Sequence, residues 1–266
     1  MKQSLGNLER QLFAYAQMRD LKTLKTGDLC AALGISATQE RKLYSRLASA
    51  SMIAQVRRGL YLIPRRIPLG GKWTPDEILS LNTLLNDKTG RYQICGPSAF
   101  NRYGFDEQIP SRIFVYNNRL SGDDRIGSIA FTLIKVSDER LGDVEEVTTL
   151  EGEVGCYSSR SRALLDAVYD WSRFNTLPRA YGWIEKELSS NRVLPGELVN
   201  VTLKYGDVGT IRRMGFFLES IQIQRSLLVK LKRRLKPTSA FIPLYPNQTK
   251  RGAVNRAWGI LNNANQ

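Results

Sequence analysis

Thr38, Arg41, Lys42 and Ser45 recur three and four residues apart, with Gln39, Tyr44 and Arg46 on their flanks. On a helix that spacing gathers hydroxyl, guanidinium and ammonium groups along one side. Such groups grip phosphates and reach base edges, so the chemistry they offer is non-covalent recognition of nucleic acid. Arg57 and Arg58 form a second basic cluster directly before Gly59. A third, Arg225, Lys230, Lys232, Arg233, Arg234 and Lys236, is threaded among Leu227, Leu228, Leu231 and Leu235, as on a helix with one packed and one cationic side. That cationic side suits DNA phosphate, RNA or an acidic surface; a plain solvated face is the alternative.

Groups for covalent or acid–base chemistry are poorly arranged. Histidine is absent, which removes Ser/His/Asp and Cys/His catalysis and every metal site built on imidazole. Cys30, Cys95 and Cys156 stand about sixty residues apart with no C-x-x-C, and read as small buried hydrophobes. Asp123 and Asp124 are adjacent, as are Glu145 and Glu146; on a strand such neighbours point to opposite faces and cannot share a proton. The Gly-Gly-Lys at 70–72 is no phosphate loop, because Arg66 replaces the first glycine and Trp73 follows the lysine. The chain is expected to be no enzyme and to need no metal or cofactor.

The 266 residues are 42% hydrophobic and 24% charged, enough for one or two substantial cores without disulfides. The net charge of +14 is uneven. Residues 1–72 hold 13 Lys and Arg against 4 acids, 73–150 hold 8 against 12, and 220–266 hold 9 against none. Positive potential confined to two ends points to specific polyanion-binding surfaces. No run of 18 apolar residues occurs, and Glu9 and Arg10 interrupt the start, so we expect a cytoplasmic protein without membrane partners.

The elements that must position these groups follow from periodicity. Leu8, Leu12 and Ala16 mark a first helix over 7–19, followed by a polar break at Asp20–Lys25. Thr26 starts a short helix that Gly34 ends, and Ser36 with Gln39 forms a capping box for a third helix in which Leu43 and Leu47 face inward. Two short strands, 52–56 and 60–64, then flank the Arg57-Arg58 turn. The expectation is an α+β protein: a winged helix-turn-helix over 1–70, then a larger mixed α/β to helical C-terminal domain over 75–266. Its α+β part would span about 75–155 and its mainly helical part about 156–266, with residues 207–235 as one long helix and a polar tail.

Five motifs in order, R-G-L-Y-L-I-P, G-P-S-A-F-N-R-Y-G-F-D-E-Q-I-P, S-S-R-S-R-A-L-L-D-A, K-Y-G-D-V-G-T-I-R-R-M-G-F-F-L-E and F-I-P-L-Y-P with N-R-A-W-G-I-L-N-N, span nearly the whole chain. Together they resemble the abortive-infection E (AbiEi) antitoxins; where that family tends to leucine, this chain has Met214. The resemblance implies an antitoxin and autorepressor of a type IV toxin-antitoxin system in phage defence. Its winged helix would bind inverted repeats in its own promoter, with two copies on the DNA as a dimer or as cooperating monomers. Its C-terminal domain would counteract a nucleotidyltransferase-like toxin, a functional partner with which no stable complex is implied. The competing reading is an RNA-binding or protein-neutralising module built on the basic C-terminal helix.

Overall fold

Leu12, Phe13 and Ala16 recur along α1 (Asn7–Met18) and bury against α2 (Asp28–Leu33) and α3 (Ala37–Ser49). The computed structural model describes residues 5–68 and 71–264; the boundary expected near residue 70 and the first glycine of Gly-Gly-Lys fall on residues 69 and 70, outside them. Gly34 ends α2 with φ at 64°, a left-handed turn that glycine adopts without a Cβ penalty. Ser36 then caps α3 reciprocally: its hydroxyl accepts from the Gln39 amide at 3.2 Å, and the Gln39 side chain accepts from the Ser36 amide at 2.9 Å.

The expected polar break contains a strand. In β1 (Thr23–Lys25), Leu24 is buried between two polar neighbours, an alternation too short to register in the sequence. It pairs antiparallel with β3 (Leu60–Leu62), which pairs with β2 (Ala54–Arg57), giving the order β1-β3-β2. One side of this sheet packs on α1–α3 through Leu24 and Tyr61, while Ala54, Val56, Leu60 and Leu62 pack on a second layer.

That layer is α4 (Glu77–Asp87) on a six-stranded sheet of order β6-β7-β5-β4-β9-β8. Its strands are β4 (Tyr92–Ile94), β5 (Ile113–Asn117), β6 (Gly122–Ile126), β7 (Ile129–Lys135), β8 (Val144–Thr148) and β9 (Val154–Ser158). Gly122–Asp124, despite their turn-favouring residue types, open edge strand β6, of which only Ile126 is buried. Asp123 pairs with Arg112 and accepts from Thr132, while Asp124 accepts from the Arg125 amide. Alternation along β5 separates two cores: Val115 faces α4 and the three-stranded sheet, and Phe114 and Tyr116 face the helices behind.

Those helices are α5 (Gly96–Arg102), α6 (Arg160–Tyr169), α7 (Trp171–Phe174), α8 (Arg179–Ser189), α9 (Pro195–Tyr205), α10 (Val208–Ser220) and α11 (Arg225–Lys232). The long helix expected over 207–235 is two: Gln222 takes a φ of 60°, and α11 folds back to bury Leu228 and Leu231 in the core around α9 and α10. A continuous helix would have carried both leucines away from that core. The tail, expected to be polar, forms a small sheet of order β10-β12-β11 from Ile242–Pro243, Ile260–Asn262 and Ala253–Asn255. It is anchored by Trp258, whose ring lies so close to α10 that a Cβ on Gly215 would collide with it.

The molecule is thus a mixed α+β fold with several sheets, and no helix among the described residues is long and apolar enough to cross a membrane.

Candidate nucleic-acid interface

Leu43 and Leu47 are buried on α3, and the opposite side presents Thr38, Arg41, Lys42, Ser45 and Arg46, all exposed, around one open depression. The helical repeat makes this grouping, since residues three and four apart share a face. Arg41 donates through Nε to the Ala37 carbonyl at 3.2 Å, which steadies its stem along the helix. Lys42 has no charged partner among the described residues. Arg46 pairs with Glu9 at 2.7 Å, so its cation is partly neutralised and α3 is tied to α1.

Three of the expected contact residues are placed otherwise. Tyr44 is fully buried, stacked on Tyr61 with ring centroids 4.3 Å apart, and its hydroxyl donates to the Lys25 carbonyl at 3.2 Å. Burial, with the Glu40 charge beside it, pushes its phenol well above the ordinary value, so Tyr44 is a neutral core residue that docks α3 on the sheet. A 100° step placed it at the flank, and packing against Tyr61 drew it inward. Gln39 is exposed, but its carbonyl oxygen serves the capping box.

Arg57 is turned away from α3. Its guanidinium grips Asp87 at the end of α4 through Nε at 2.6 Å and Nη2 at 2.5 Å. The hydrogen bond from Arg57 holds the Asp87 carboxyl below its ordinary pKa. A depressed carboxylate contributes stability above its unfolded pKa of about 4 and loses it as pH falls through the folded value, so the clamp is intact at neutral pH. Lys22 with Glu153 makes a second tie between the same layers. Arg58 remains exposed at the β2–β3 turn without an ion pair among the described residues.

Glu40 is the residue that sequence reasoning missed. It lies on α3 but is fully buried, and its carboxylate accepts from the Gly27 amide at 2.8 Å and the Leu29 amide at 2.9 Å. It therefore fixes the N-terminal turn of α2 against α3, satisfying amides that α2 leaves unpaired. Nothing in the sequence distinguishes it from a solvated acid in a first helical turn. Glu40→Ala should destabilise the chain by about 2–3 kcal/mol, the cost of unsatisfied buried amides plus a lost charged hydrogen bond. Urea titration checks this; an unmoved midpoint would mean that those amides find other partners.

In the third cluster Arg225, Lys230, Arg233, Arg234 and Lys236 are exposed and carry no ion pair among the described residues. Lys232 differs: it pairs with Glu219 at 2.7 Å and lies 4.8 Å from the Trp258 ring centroid, a packing role for a residue expected on the cationic face. The three cysteines are free thiols whose pKa values burial raises, most of all at Cys95.

No family model matches the chain, and no curated protein matches it. The fold is similar to that of the RV2827C protein from Mycobacterium tuberculosis, known from a crystal structure. The two superpose with a TM-score of 0.63 over 97% of this chain and 92% of that one, at 12% sequence identity. At that identity the likeness is one of fold alone.

Proposed function

We propose that this chain is a duplex-DNA-binding regulator, in which residues up to about 70 act as a winged helix-turn-helix. The observation that carries the reading is the single exposed face of α3, with Thr38, Arg41, Lys42 and Ser45 side by side over a buried leucine seam. An α-helix fits the major groove, where guanidinium and hydroxyl groups can meet base edges and the lysine a phosphate. In this reading Arg58, exposed at the hairpin turn, serves the flanking phosphates. The motif resemblance supports the wider role: a cytoplasmic autorepressor bound in two copies at an inverted repeat, and an antitoxin, not itself an enzyme, that counters a nucleotidyltransferase-like toxin.

Gel shifts with the region upstream of its own gene, against scrambled DNA of equal length, test the regulator reading. Equal affinity for both would sink sequence-specific repression. The two wing arginines give a sharper comparison. Arg58→Ala should weaken operator binding several-fold and lower the salt dependence by about one phosphate equivalent. Arg57→Ala should act chiefly on the packing of the hairpin against α4, with a smaller effect on affinity at fixed salt. The reverse order would mean that Arg57 leaves Asp87 to reach DNA.

The antitoxin role has its own test. Coexpression with the neighbouring toxin should show rescue by the Arg41→Ala, Lys42→Ala double variant, which separates neutralisation from repression. Loss of rescue in that variant would reduce the antidote to repression alone.

A further inference from the structure

The last 47 residues hold nine cations and no acid, and eight of those cations carry no ion pair among the described residues. Three of them, Lys250, Arg251 and Arg256, lie directly beside strand β11 of the terminal sheet. In its register Ile242 lies beside Ile260 and Ile260 opposite Asn255, with Ile260 buried, so this set faces α10. Alternation sends Phe241, Pro243, Leu261 and Val254 to the other side. Burial agrees: Phe241 is 40% exposed and Val254 50%, and Pro243 and Leu261 are part-exposed.

An apolar strip with one aromatic ring therefore lies open, with cations at both ends. Lys250 and Arg251 precede β11, and Arg256 follows it. Arg212 reaches the Phe241 end from α10, donating to the Ala240 carbonyl at 3.3 Å. Between these ends the strands give room for about three nucleotides.

We propose that this face is a platform for single-stranded RNA, with a base stacked on Phe241 and phosphates held by Arg251 and Arg256. Every base has a π-face, so an exposed ring amid arginines binds single strands with little sequence preference. A duplex hides its bases from such a surface. The platform also lies apart from α3: the three-stranded sheet, α4, the six-stranded sheet and the helices behind it come between. One straight duplex gripped by α3 does not run along it. An acidic protein would find cations, but its side chains offer little that stacks on an isolated ring. RNA is favoured over single-stranded DNA because the exposed Thr249 hydroxyl, beside Lys250, can meet a 2′-hydroxyl.

The test uses the full chain and a fluorescent 12-nucleotide RNA, read by anisotropy at low salt, with the same sequence as DNA and the promoter duplex in parallel. The wild type should bind the RNA at least fivefold more tightly than the DNA strand. The triple variant Phe241→Ala, Arg251→Ala, Arg256→Ala should lose at least tenfold for RNA while keeping its duplex affinity, which also reports that it is folded. Phe241→Tyr, which keeps a stacking ring, should bind RNA like the wild type. The Arg41→Ala, Lys42→Ala variant should lose the duplex and keep the RNA, so the two surfaces fail separately. The proposal is overturned if RNA affinity survives the triple variant or vanishes in the α3 variant. It is equally overturned if the DNA strand binds as tightly, or if polyglutamate displaces RNA as well as unlabelled RNA does.

Discussion

Replacing Arg41 and Lys42 together by alanine should lower affinity for the operator duplex about 100-fold at fixed salt and leave the fold intact. Both side chains are exposed and neither supports the core. A cation that forks onto a base edge contributes ~1–3 kcal/mol, and 1.4 kcal/mol is tenfold in affinity. A phosphate contact acts differently, since each one lost flattens the dependence on salt by about 0.9 in the log–log slope. Titrations at several salt concentrations therefore divide the two roles. If Arg41 reads a base, Arg41→Ala relaxes sequence preference at one operator position; if Lys42 grips phosphate, Lys42→Ala weakens all sequences alike. Unchanged affinity in the double variant would remove α3 from the interface.

Asp166→Ala should strongly destabilise the C-terminal part, costing about 3–5 kcal/mol. Asp166 is fully buried and accepts from Arg140 at 2.7 Å, Arg162 at 2.9 Å and Ser158 at 3.2 Å. The two guanidiniums also donate to the carbonyls of Tyr205, Gly142 and Arg140, and they lie over the rings of Tyr169 and Tyr205. One carboxylate thus pairs with two buried cations, and its removal leaves both without an ion-pair partner in a region of low polarity. Against a total stability of about 5–15 kcal/mol that loss is a large share. Asp166→Asn keeps an acceptor and should cost less. Urea titration of both variants measures the difference, and a midpoint unchanged by Asp166→Ala would show that the arginines do not depend on this carboxylate.

This network also accounts for the S-S-R-S-R-A-L-L-D-A motif. Arg162 and Asp166 are spaced to meet on one helix turn, and the motif joins α6 to the loop before β8 and to α9. The glycine-rich motif around Met214 does similar work, since Gly215 admits the Trp258 ring. The residues that carry the family resemblance are therefore largely packing residues, and they leave the exposed contact surfaces unspecified.

The sequence by itself determined the local elements whose signals lie within a few residues. The Ser36–Gln39 capping box, the left-handed Gly34 and the leucine seam of α3 were all legible, because caps and helical faces depend on short-range geometry. Six of the seven residues expected on the α3 face are exposed, Gln39 among them with its side-chain oxygen in the cap, again a matter of periodicity. Tertiary packing decided the rest. It buried Tyr44 against Tyr61, turned Arg57 onto Asp87, drew Glu40 under α2, paired Lys232 with Glu219 and broke the 207–235 run at Gln222. Each of these outcomes depends on partners 11 to 30 positions away or on a core that only the folded chain assembles. A charged or aromatic residue carries no mark in the sequence of whether it will meet solvent or a distant partner, and only the folded chain supplies that partner.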